Sequence, residues 1–173
     1  MSEAIAAGRA STGLSPAAVA RLIALLLPLM LLGGALGSQY FGGLHPCEMC
    51  YWQRYPHTAA IVLAMLAFTA PAESARSRML TLLAAAAIAG SGAIGVYHAG
   101  VEAKIFEGMT TCTATGKGLS AADLLEQIRH APVVRCDEVQ FRFLGISMAG
   151  WNAILSFGGA TLILILGLKK GRR

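Results

Sequence analysis

LIALLLPLMLLGGALGSQYF, residues 22–41, contains no charged side chain, and none occurs between Arg21 and His45. A helix crosses the hydrocarbon core of a bilayer with roughly 20 mostly apolar residues, so this run has the length of a first span. Pro28 inside it is tolerated, because neighbouring helices can satisfy the carbonyl that a proline frees. Three further uncharged runs follow, at residues 55–72, 79–97 and 143–168. Of the 173 residues, 55% are hydrophobic and 13% charged, against about a quarter charged in a soluble domain. The expected architecture is therefore all-α: a single four-span integral membrane domain over residues 1–173, folded as a four-helix bundle. Its spans are placed near 22–41, 50–70, 79–97 and 146–168, with outer loops at 42–49 and 98–145. The Ala/Ser-rich residues 1–18 read as a disordered cytoplasmic start.

Basic residues in short flanks set the direction of insertion. With both termini and the turn at residues 73–78 on one side, that side holds Arg9, Arg21, Arg76, Arg78, Lys169, Lys170, Arg172 and Arg173 against only Glu3 and Glu73. Six basic residues face seven acidic ones on the other side. Both termini are expected in the cytoplasm, and Cys47, Cys50, Cys112 and Cys136 all fall outside. The formal net charge of +5 thus orients the chain in a membrane and is no reason to expect nucleic acid. A basic residue, an apolar stretch and the small residues 33–37 also match a cleaved signal peptide. Against that reading the apolar run continues to Phe41, and the cysteines stay outside in either case. Gly33 and Gly37, with Gly90, Gly92 and Gly95, are expected to let backbones approach closely within the bundle; an oligomer is not required.

The segment HPCEMCYWQR, residues 45–54, carries the chemistry. A helix starting near Pro46, a residue favoured at the first helical position, would complete the marginal second span. It would also put the Cys47–Cys50 pair beside unpaired N–H groups and the positive end of the helix dipole, which favour thiolate. Tyr51 stands where a covalent haem motif needs His. Cys112 and Cys136 lie on the long outer loop, where residues 120–123 resemble a capping box ahead of a short amphipathic helix. A disulfide across that loop is expected to be exposed and mobile. An outer bacterial compartment is oxidising, so two static structural disulfides are an open alternative. A zinc site is disfavoured by the spacing of the second pair, and no metal is expected.

Arg54 follows Cys50 by one helical turn, on the same face, and the third span returns His98 to the same outer level. Snorkelling of Arg54 to lipid headgroups and a plain interface histidine are the bland readings. Together with Cys50, however, the two residues outline a pocket open to lipid. A dithiol that loses electrons needs an acceptor, and the chain has no nucleotide or metal motif. A lipid-soluble quinone, ubiquinone or menaquinone, fits that place, since a cation stabilises a ring that becomes negative on reduction.

This ordered set resembles the DsbB family of disulfide bond formation proteins. The likeness rests on Cys47-Glu48-Met49-Cys50 with Gln53-Arg54, on Tyr97-His98, on Cys112 and Cys136 bracketing a long loop, and on residues 136–138 and 143–145. It implies a bacterial inner-membrane enzyme that re-oxidises a periplasmic thioredoxin-fold dithiol protein of the DsbA type and passes the electrons to quinone, the relay that keeps a periplasm oxidising. It implies that Cys112 forms the mixed disulfide with the partner, that Cys136 exchanges with Cys47, and that Cys50 faces the quinone with Arg54 and His98 near its head. Glu48 departs from the more apolar residue often found between the two cysteines. The alternatives are a thiol oxidoreductase similar to vitamin K epoxide reductase, and a non-catalytic scaffold stapled by disulfides.

Overall fold

The computed structural model describes residues 14–108, 120, 122, 125 and 134–169. Its long helices are α1 (Pro16–Tyr40), α2 (Glu48–Ala67), α3 (Ala75–Glu102) and α4 (Met148–Leu168). Three of them begin at a serine cap: the hydroxyls of Ser15, Ser74 and Ser147 accept from the N–H of Ala18, Ser77 and Gly150. Each satisfies a donor that a first turn leaves without a helical partner. α2 begins differently. Its N-cap is Cys47, which makes no side-chain cap bond, so the sulfur is available for other contacts.

Around the bundle α1 packs on α2, α2 on α3, α3 on α4 and α4 on α1. This leaves α2 and α4 on opposite corners. At the end where α1 starts, the core is built from small side chains, Ala20, Ala24, Ala60, Ala64 and Ala84, around Ile88 and Ile163. In lipid, where apolar surface gains little by leaving its solvent, helices associate through such close packing. Arg21 closes this end: its guanidinium donates to the carbonyls of Ala67 and Ala70 at 3.1 and 2.8 Å and lies 4.1 Å from the Phe68 ring centroid. A cation there complements the negative end of α2.

α1, α3 and α4 are long and apolar enough to cross a membrane. α2 is not counted with them, because its first half carries Gln53, Arg54 and His57. The chain is an all-α, multi-pass membrane bundle, as its composition predicts. α1 starts at Pro16, inside the stretch expected to be disordered, and α3 continues past Tyr97 to Glu102, so His98 is helical and not part of a loop. A small addition is the antiparallel hairpin of β1 (Arg142–Phe143) and β2 (Ile146–Ser147). Its turn residues Leu144 and Gly145 have φ of 51° and 80°, the positive values that a two-residue hairpin turn of this hand requires. Cys112, residues 1–13 and most of the expected amphipathic helix lie outside the described residues.

The glycine expectation needs correction. A Cβ on Gly95 would stand 2.9 Å from the Ala149 carbonyl, and one on Gly92 3.1 Å from Ser156 Cβ. Those two glycines do bring α3 against α4. Gly33, Gly37 and Gly90 meet nothing within 4 Å. The small residues in the second half of α1 do not serve close packing; Gly34, Ala35 and Ser38 instead border an open cavity.

Candidate functional site

Where α2 begins, Cys47 Sγ lies 3.0 Å from Cys50 Sγ and 3.5 Å from His98 Nε2. Cys136 packs in the same cluster as Cys47, with Met49 and Val101. Cys47 thus touches a thiol on each side. Its own thiol is pushed well above the ordinary range, first by a hydrogen bond with Cys136, then by one with Cys50 and by burial. Crowded thiols disfavour a negative charge on the one in the middle.

Cys136 is fully buried, at 0% exposure, which corrects the expectation of an exposed loop disulfide at this end; Cys112 lies outside the described residues. Two anchors hold it in place. On one side Lys104, in a left-handed conformation (φ 61°) just past the end of α3, donates to the Asp137 carboxylate at 2.5 Å and to its carbonyl at 2.9 Å. Arg135 pairs with the same carboxylate at 2.9 and 3.0 Å. Arg135 first and Lys104 second hold the Asp137 carboxyl well below the usual carboxylate range. On the other side Gln140 Nε2 donates to the His45 carbonyl at 2.5 Å, tying the Cys136 segment to the loop that leads into Cys47.

His98 is oriented from behind. The Gln53 side-chain nitrogen donates to the Met49 carbonyl at 3.2 Å and lies 2.8 Å from His98 Nδ1. A carbonyl only accepts, so that end of Gln53 is the NH₂ and His98 Nδ1 is the accepting nitrogen. The ring proton therefore sits on Nε2, facing Cys47. Glu102, one turn further along α3, approaches the same Nε2 at 3.9 Å.

Cys47 and Cys50 also border a cavity of about 330 Å³ between α1, α2 and α4, together with Arg54, His57 and His98. Leu31 and Met30 of α1 supply apolar wall. Arg54 does not simply snorkel: it donates to Gln39 Oε1 at 2.7 Å and to the Ala35 carbonyl at 3.3 Å, and lies 5.0 Å from the Tyr51 ring centroid. Two buried nitrogens of cavity-lining side chains have no hydrogen-bond partner, Arg54 Nε and His57 Nδ1. An unsatisfied buried polar atom is costly, and a polar ligand atom in the cavity would relieve that cost at these two positions.

Sequence reasoning missed the polar core behind that wall. Asn152 of α4 reaches across the corner-to-corner gap to Gln53 Oε1 at 2.8 Å and to His57 Nε2 at 2.8 Å. Ser91 and Ser156 complete the set at 2.9 Å from His57 Nε2 and 3.1 Å from Asn152 Oδ1. The available signal was the polar type itself, since Asn and His inside apolar spans are expensive and mark functional positions.

Cys47, Cys50 and His98 also present three donor atoms within 4.8 Å of one another, the kind of set zinc uses. Two thiolates at about 2.3 Å from one tetrahedral zinc stand roughly 3.8 Å apart. At 3.0 Å the two sulfurs are too close for that arrangement and are instead near bonding reach of each other.

A family model described as "Disulfide bond formation protein DsbB" matches residues 17–166. Among curated proteins, the chain is 31% identical over 159 residues to disulfide bond formation protein B of Chromohalobacter salexigens, covering 87% of this chain and 88% of the other. It is 27% identical over 146 residues to the protein of the same description from Marinobacter nauticus, covering 80% and 82%. It is also 25% identical over 153 residues to an uncharacterized protein of Rickettsia prowazekii, covering 87% and 86%. No solved structure matches.

Proposed function

The chain belongs to the DsbB family of membrane disulfide bond formation proteins, and from that premise we propose that it is a protein-dithiol oxidase that hands electrons to membrane quinone. The observation that carries this reading is the position of Cys47, in contact with Cys50 on one side and Cys136 on the other. A dithiol relay needs one sulfur that can pair with either of two neighbours without large movement. Cys47 is that sulfur.

In the proposed cycle a thiolate of a soluble thioredoxin-fold partner, of the DsbA type, attacks the Cys112–Cys136 disulfide and forms a mixed disulfide with Cys112. The partner's second thiol displaces Cys112, leaving the partner oxidised. Cys136, released as thiolate, attacks Cys47, and Cys50 leaves. Cys112 then attacks Cys136, restoring the loop disulfide, and Cys47 leaves as thiolate. His98 Nε2–H is placed to donate to that departing sulfur. The pair Cys47 and Cys50 now holds the two electrons and gives them up as its disulfide re-forms. A quinone, ubiquinone or menaquinone, supplies the two-electron, two-proton acceptor. The cavity fits such a group: its wall is largely apolar, and Arg54 offers an unused N–H and a positive charge. In this reading the thiol end faces the periplasm and both termini the cytoplasm of a bacterial inner membrane, a direction that the excess of Lys and Arg beside the termini supports.

The test is oxidation of a reduced thioredoxin-fold protein by the purified chain, following quinone absorbance and partner thiols together. One quinone reduced per dithiol oxidised is expected, with no turnover in the absence of quinone. Thiol oxidation that proceeds with no quinone consumed, or equally well without it, would overturn the reading.

A further inference from the structure

The network behind the cavity has a direction that its fixed ends reveal. Gln53 presents its nitrogen to the Met49 carbonyl, so its oxygen faces Asn152, whose Nδ2 donates to it at 2.8 Å. The same Nδ2 donates to the Ser91 carbonyl at 3.2 Å, which fixes Asn152 independently. Asn152 Oδ1 therefore faces His57 Nε2 as an acceptor, at 2.8 Å. The Ser91 hydroxyl gives its proton to the Gln53 carbonyl at 2.8 Å and is left to accept from His57 Nε2 at 2.9 Å. Two separate routes thus place a proton on His57 Nε2. In the neutral ring the other nitrogen, Nδ1, then carries a bare lone pair. His57 is only 3% exposed, Nδ1 has no partner, and the ring borders the same cavity as Arg54.

We infer that His57 is a second head-group residue of this cavity, and that its Nδ1 accepts a hydrogen bond from the hydroxyl of a reduced quinone. The inference rests on the quinone reading above and adds a selectivity to it. Oxidised quinone presents only acceptor oxygens, which suit the Arg54 N–H groups but leave His57 Nδ1 unmatched. Hydroquinone carries O–H donors, and one of them meets that lone pair. His57 thereby favours the reduced ligand over the oxidised one, while Arg54 serves both. The role is one of binding and does not require His57 to change its charge.

The test uses equilibrium binding, with no turnover. A short-tailed hydroquinone is titrated calorimetrically into fully reduced protein, and the corresponding quinone into fully oxidised protein, so that no electrons flow in either case. His57→Gln keeps a donor near the Nε2 position, so Asn152 stays satisfied, but it removes the acceptor at the Nδ1 position. It should weaken hydroquinone binding about tenfold, or about 1.4 kcal/mol, and change quinone binding less than twofold. His57→Asn, which keeps an acceptor near the Nδ1 position, should recover part of the hydroquinone affinity. Equal weakening of both ligands by His57→Gln, or no change in either, would overturn the inference and leave His57 as a structural member of the network. Wild-type protein that binds neither form would instead bring down the quinone reading itself, and this inference with it.

Discussion

The two ends of this bundle are built from the same four helices by opposite means. At the end where α1 begins, Ala20, Ala24, Ala60, Ala64, Ala84 and Ile88 pack a core of mostly small apolar side chains. At the thiol end, the space between the same helices is filled by Gln53, His57, Ser91, His98 and Asn152, joined by hydrogen bonds of 2.8 to 3.2 Å. The first arrangement holds helices together through close contact of small groups. The second holds them through polar networks, which in a low-dielectric setting are strong when every member is satisfied and costly when one is not. Unpaired buried nitrogens occur at both ends, Arg21 Nε and Arg78 Nε at the first and Arg54 Nε and His57 Nδ1 at the second, but of these only Arg54 and His57 border the cavity. Stability and chemistry are therefore largely assigned to different ends.

That division can be challenged at each end. Ile88→Ala opens a cavity in the small-residue core. The expected loss is about 2 kcal/mol, near the low end for such truncations, because in lipid the water-to-core transfer contribution falls away and mainly the packing contribution remains. Unfolding in mixed detergent should register this loss, while turnover per folded molecule stays within a factor of two. A comparable fall in turnover would mean the ends are coupled.

A smaller effect is expected at the other end from Asp137→Asn. Lys104 is largely exposed, so the ion pairs of Asp137 are screened and contribute no more than about 1 kcal/mol. Global unfolding should hardly move, but hydrogen exchange over residues 134–140 should rise several-fold and relay rate should fall with it. The sign with pH follows from the depressed Asp137 carboxyl. Its stabilising share is complete above the ordinary carboxylate value, about pH 4, and is lost as pH falls below it. Protection of residues 134–140 should be flat from pH 7 to 5 and decline below 4 in the wild type. Asp137→Asn should show no such decline. A decline centred near pH 6 would point to a histidine instead.

The legible part of this molecule was the part written in local pattern. Uncharged runs marked the long apolar helices α1, α3 and α4, and the Cys-x-x-Cys segment with Arg54 one turn later put three chemical groups on one helical face. His98 was legible because an antiparallel return brings it to the same level. What escaped depends on rotation and depth across helices. His57 and Asn152 are 95 residues apart, and no spacing rule joins them. Gly33 and Gly37 looked like a packing face because small residues usually are one, yet in this bundle they face open space. The burial of Cys136 depends on Lys104 and Gln140 reaching Asp137 and His45, contacts that hydropathy does not record.

The relay depends most on Cys47 being shared between two partners, and disulfide mapping of a Cys50→Ser variant tests this directly. With its helical neighbour gone, Cys47 should be trapped with Cys136. Peptide mass spectrometry without reductant should find a Cys47–Cys136 disulfide as the major species in the membrane. Cys47 recovered as a thiol throughout, with Cys136 bonded only to Cys112, would contradict the relay.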